Sequence, residues 1–173
     1  HSDKKAVQRL IDRVATPYGN LPEAHFAMGL AAANADDLMH AQGEFQKALQ
    51  LRPDWESAEL AYAQLLARTS PASAIESLNE FLARKPDARD ARLTLARLLI
   101  GERKYDAARA QFDILLKDSP DNPDVVYPVA MLALQQGDAA GARSQLEKLL
   151  KSDFPDKSAV HFFLGQLEEE EKK

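Results

Sequence analysis

The chain has 173 residues, 45% of them apolar and 28% charged, which suits one ordinary folded domain or a short repeat array. A net charge of -5 argues against nucleic acid, whose phosphates demand a basic face, and the absence of cysteine removes disulfides, thiolate nucleophiles and thiolate metal sites. No apolar run approaches the ~18 residues of a membrane-spanning helix, so direct membrane insertion is not expected.

Apolar periodicity and the breakers between apolar stretches predict ten helices and no strand. The first covers residues 3–16, with Leu10, Ile11 and Val14 on one face. The second, over 22–34, carries Met28-Gly29, and the third, over 37–51, carries Ala41 and Phe45 before Pro53-Asp54. Helix 54–67 carries Tyr62-Ala63. Ser70-Pro71 then reads as an N-cap followed by proline at the first helical position, opening 71–84 with Ala74 and Leu78. Past Pro86-Asp87 come 88–101, with Leu95-Ala96, and 104–117, with Ala108 and Phe112. Pro120-Asp121 follows, and Asn122-Pro123 opens 123–136 by the same cap-and-proline device. Pro128 lies inside that helix without an N–H and crowds the Asp124 carbonyl, which predicts a kink or local break there. Helix 138–152 carries Ala142 and Leu146, and after Pro155-Asp156 the last helix, 156–171, carries Leu164-Gly165. The Asp after each helix-ending proline is expected to cap the following helix.

Three columns in this order share one period. The helix-ending prolines, Pro53, Pro86, Pro120 and Pro155, are spaced by 33, 34 and 35 residues. Small residues recur at Gly29, Ala63, Ala96, Ala130 and Gly165 in the first helix of each pair. Alanines recur at Ala41, Ala74, Ala108 and Ala142 in the second, each followed four residues later by Phe or Leu. Two antiparallel helices joined by a short turn bring the small residues together and let the backbones approach closely. The large residue four positions on shares that helical face and fills the space beside the contact.

These columns resemble the tetratricopeptide repeat family, which expects Leu-Gly in a first helix, Ala-x-x-x-Phe in a second, and then Pro. Met28-Gly29, Ala41, Phe45 and Pro53 match well; the second repeat loses one residue at Ser70-Pro71, and the fourth gains one near Phe154. The resemblance implies an all-α fold, an α-solenoid of antiparallel helix pairs wound as a right-handed superhelix. It divides the chain into 1–21 (second helix of a preceding repeat), 22–55, 56–88, 89–122, 123–157 and 158–173 (first helix of a fifth repeat). The sequence departs from the family in one column: His25, Glu59, Arg92 and Val126 stand where an early aromatic is usual. Both ends are expected to be cut from a longer, bacterial solenoid, leaving apolar surface on the opening and last helices that favours self-association.

No catalytic chemistry is legible. His25 and His161 fall in the first and last repeats, too far apart for one metal site, no Gly-rich phosphate loop exists, and the carboxylate pairs suit helix caps and solvated faces. Neither enzyme activity, metal nor cofactor is expected. The resemblance instead places the first helix of each repeat on an inner groove. There the projecting pairs are Phe26 and Leu30, Leu60 and Gln64, Leu93 and Arg97, Tyr127 and Met131, and Phe162 and Gln166. Some of these, the leucines above all, have the alternative role of filling contacts between neighbouring repeats. Relatives that grip acidic chaperone tails use lysine, asparagine and arginine in these columns; here only Arg97 remains, which argues against that function. An apolar groove suits an amphipathic helix or an extended segment with spaced anchors, so the expected function is a protein–protein interaction scaffold. The alternative is a structural spacer or regulatory appendage whose groove is filled in cis. The compartment stays open between bacterial cytoplasm and the periplasmic side of the envelope.

Overall fold

A computed structural model of the chain describes Lys5, Ala6, Arg9, Asp12, Arg13 and residues 17–171. Among the described residues it contains nine long helices and no strand: α1 (Pro22–Asn34), α2 (Leu38–Leu51), α3 (Glu56–Ala67), α4 (Pro71–Arg84), α5 (Arg89–Gly101), α6 (Tyr105–Asp118), α7 (Pro123–Gln135), α8 (Ala139–Lys151) and α9 (Lys157–Glu171). Each boundary falls within two residues of its expectation. The opening helix expected over 3–16 rests mostly on residues outside those described, Leu10, Ile11 and Val14 among them.

Contacts divide the chain into two units, residues 1–98 and 99–173. In the first, α1 packs against α2, α3 against α4, and α2 against α3, as successive antiparallel pairs. Its core gathers Ala32, Ala41, Phe45 and Leu65, with Phe26 and Tyr62 packed onto them. The small-residue column does the expected work here: a Cβ built on Gly29 would lie 2.6 Å from two atoms of the Phe45 ring. In the second unit α7 packs on α6 and α8, and α8 on α9. Val126, Ala130, Ala142, Leu146, Leu149 and Val160 form its core.

The turns between paired helices explain the missing residue. Asp36, Arg103 and Gly137 hold equivalent turn positions, with φ of 59°, 57° and 73°. Only glycine takes that left-handed conformation freely, and a bulky side chain there is strained. The turn before α4 lacks this residue and instead closes directly through its caps: Ser73 N donates to Ser70 Oγ at 3.3 Å, with Pro71 at the first helical position. Asn122 caps α7 in the same way, accepting from Asp124 N at 3.0 Å.

Two expectations are corrected. Of the aspartates that follow the helix-ending prolines, Asp156 caps its helix, accepting from Ala159 N at 3.0 Å. Asp54 does not: the N-cap of α3 is Trp55, which makes no side-chain cap. Trp55 takes that place because its ring packs on Phe26, with centroids 4.7 Å apart. Near the start of α5, Glu56 of α3 accepts from Ala91 N at 3.0 Å, and Asn122 rather than Asp121 caps α7. Nor does Pro128 break α7, which runs unbroken from Pro123 to Gln135. The bond that Pro128 forgoes lies near the helix start, where the Asn122 cap and the buried Val125, Val126 and Ala130 already fix the backbone.

Candidate functional site

In the first unit, Leu30 and Gln64 come together from α1 and α3. With Ala33, Asn34, Ala61 and Arg68 they line a depression of about 230 Å³. Leu30 is 41% exposed there, a large apolar side chain held at the surface. Arg68, at the rim, is tied to Asp36 at 2.6 Å, so its charge is partly answered within the chain. Leu60 and Leu93 are half-buried, while Gln64 and Arg97 are exposed. Phe26 is engaged from within: it is half-buried, 5.9 Å from the Phe45 ring and 4.7 Å from Trp55.

In the second unit, Tyr127 and Met131 are half-buried and pack against the core. Tyr127 stacks on Phe154, with ring centroids 5.1 Å apart. Phe162 is 61% exposed, touched edge-on by Phe163 at 5.6 Å. Gln166 lines a depression of about 210 Å³ with Leu134, Phe163 and Leu167. Gly165 stands in the small-residue column, yet nothing lies within 4 Å of a Cβ built on it.

The column that lacks its aromatic carries polar chemistry that the sequence reading passed over. His25 is buried, with Nδ1 2.6 Å from Glu44 Oε2 and Nε2 2.8 Å from the Gly19 carbonyl. The ring therefore bridges the Glu44 carboxyl of α2 and the Gly19 carbonyl, one through each nitrogen. One repeat later Glu59, 2% exposed, accepts from Ser77 Oγ at 2.6 Å. In the third repeat Arg92 donates to the Pro86 carbonyl at 2.6 Å, and in the fourth Val126 is fully buried. Burial pushes the Glu59 carboxyl above the usual carboxylate range, against the Ser77 hydrogen bond. Burial also opposes ionisation of Glu44, but hydrogen bonds from His25 and Lys47 outweigh it and hold that carboxyl low. Outside this column, His40 is exposed beside Asp37 at 2.7 Å. Among the described residues no three His, Cys, Asp or Glu side chains are grouped to hold a metal.

The sequence matches the family described as tetratricopeptide repeat over residues 65–125 and again over 99–167. It is 28% identical over 156 residues to cellulose synthase operon protein C of Escherichia coli K12. That match covers 83% of the chain and only 13% of the relative, so the chain spans about an eighth of that protein's length. Among solved structures the fold is similar to MamA of Desulfovibrio magneticus RS-1, with a TM-score of 0.69 at 22% identity over 87% of the chain and 85% of that structure. It is also similar to YrrB, described as a protein of the same repeat class with an unusual peptide-binding site. There the TM-score is 0.69 at 18% identity, over 95% of the chain and 86% of that structure.

Proposed function

The chain belongs to the tetratricopeptide repeat family, whose members are protein–protein interaction scaffolds and typically not enzymes, and from that premise we propose that its first unit holds a segment of another polypeptide on the face lined by Leu30, Leu60 and Gln64. The observation that carries this reading is Leu30, 41% exposed over a depression whose apolar lining is Ala33, Phe45, Ala61 and Leu65, rimmed by Asn34, Gln64 and Arg68. A volume of about 230 Å³ is too small to enclose a drug-sized molecule. It suits one or two apolar side chains of an amphipathic helix or extended peptide. Tyr127, Met131 and Phe162 give the second unit the same kind of apolar face. The description of YrrB as a peptide binder is consistent with this reading. A competing reading, a spacer whose groove is filled by the same polypeptide, draws on Phe26 and Tyr127, whose rings are already engaged by Trp55 and Phe154.

A partner recovered by cross-linked pull-down with the full chain provides the test. Leu30→Ala truncates a side chain at the surface and should cost ~1–3 kcal/mol of binding as an apolar anchor. Arg97→Ala should cost little, and the affinity should respond weakly to salt. The reverse ranking, with strong salt dependence, would make a charged tail the ligand and end this reading.

A further inference from the structure

The two sides of α3 differ in chemistry. At 100° per residue, Glu59, Tyr62 and Leu66 lie roughly 150° around the helix from Leu60 and Gln64. That second side opens between α2 and α4 into a depression of about 660 Å³, within the range of volumes that hold ligands. It lies wholly within the first unit.

Glu59 forms its floor. One carboxylate oxygen accepts from Ser77, and no lysine or arginine makes an ion pair with Glu59 among the described residues. Glu76 and Glu80 add two more carboxylates to the lining, against the single guanidinium of Arg84. Arg84 itself leans over the Phe81 ring, 6.0 Å from its centroid. Arg84 acts on Glu59 through its field without forming an ion pair. A buried carboxylate with no paired cation is costly, and the excess of carboxylates in the lining favours a cation.

The walls add a direction. Gln42, Gln46 and Gln50 follow one another at four-residue intervals along α2, and Ser73 and Ser77 do so along α4. Such a row rises about 6 Å per step, close to the ~6.6 Å at which an extended chain repeats the same face. All three glutamines are exposed, and Gln46 donates to the Tyr62 hydroxyl at 2.8 Å. Primary amides offer both a donor and an acceptor, which is what a peptide main chain requires of a partner. Tyr62 and Leu66 give the floor an apolar strip that fits the aliphatic stem of a long basic side chain.

We propose that the cleft between α2 and α4 is a second binding site, which takes an extended basic segment of another polypeptide with an arginine or lysine directed at the Glu59 carboxylate. This site is distinct from the apolar face of Leu30 and Gln64 and reads charge where that face reads apolar surface.

The test titrates the full chain with two blocked heptapeptides, Gly-Ser-Gly-Arg-Gly-Ser-Gly and the same sequence with citrulline for arginine, and follows backbone amides by NMR. The arginine peptide should move amides of residues 42–50 and 73–84, and citrulline, which keeps the shape and loses the charge, should bind about tenfold more weakly. Glu59→Gln should erase that preference, and Glu80→Gln, at the exposed rim, should reduce it with the fold intact by circular dichroism. Three results would each overturn the proposal. These are no binding of the arginine peptide at millimolar concentration, equal binding of both peptides, or amide shifts confined to the Leu30 and Gln64 side.

Discussion

Replacing single glycines by alanine separates helix propensity from close packing. Alanine favours a helix interior over glycine by about 0.8–1 kcal/mol, so an unobstructed Gly→Ala change stabilises. Gly43, in α2, has nothing within 4 Å of an added Cβ. Gly29, in the partner helix α1, would set its Cβ 2.6 Å from Cδ1 and Cε1 of Phe45, about 1 Å inside the carbon–carbon optimum. The ring cannot retreat: Phe45 is 1% exposed, and Phe26, wedged on Trp55, lies beside it. Overpacking of this kind costs about 1–3 kcal/mol, which against the propensity gain leaves a net loss of up to about 2 kcal/mol. Gly165 occupies the same column as Gly29 but faces open space, so Gly165→Ala should behave like Gly43→Ala. Urea denaturation followed by far-UV circular dichroism gives the three changes in stability. Gly29→Ala at or above wild-type stability would refute the steric reading of the column. A loss at Gly43→Ala would show that helix propensity had been misjudged.

Four further outcomes are expected. Phe112→Ala, at a fully buried position, should cost ~3–5 kcal/mol in the same urea assay, and a loss below ~1 kcal/mol would remove that residue from the core. Glu59 has its pKa raised above its ordinary 4.5 by burial, so the wild type matches Glu59→Gln best in acid and loses ground as pH rises through the folded value. Urea midpoints at acid and neutral pH should therefore show the Gln variant pulling ahead on neutralisation, and an unchanging gap would contradict the shift. Arg103 sits at φ 57° in an exposed turn, and Arg103→Gly should raise stability by about 1 kcal/mol, whereas thermal melts that fall would show the turn unstrained. Phe162, 61% exposed, is expected to drive concentration-dependent self-association that Phe162→Ser abolishes; a wild type that sediments as a monomer at every concentration would end that expectation.

The fold was legible because its signals are local and repeated. Proline and the Ser70 and Asn122 caps punctuate the helices, and the alternation of small and large residues declares which faces meet. The groove was less legible. The repeat pattern expects Phe26 on the inner groove, but Trp55 belongs to none of the periodic columns, and nothing in the pattern announces that its ring comes to rest against Phe26. The polar column was visible as a departure and not as a set of bonds. Its signal lay in the offsets: His25 and Glu44 are 19 residues apart, and Glu59 and Ser77 are 18, shorter by the one residue missing from the turn before α4. The cleft between α2 and α4 depends on side chains from three helices, and no single-helix pattern reveals such a convergence.

The different occupants of that column make the helix pairs non-interchangeable. Were α3 to take the place of α1 against α2, Glu59 would meet Glu44, and two carboxylates would be shut in one contact with no cation between them. Were α1 to take the place of α3, His25 would find Ser77 and leave Glu44 without its partner. An array built from near-identical repeats risks assembling out of order, because every apolar seam fits every other almost as well. Here α1 and α3 each carry a polar group that the paired helix answers, His25 with Glu44 and Glu59 with Ser77. Gene duplication can lengthen such a protein, but its repeats cannot then be shuffled without rewriting both sides of the pair.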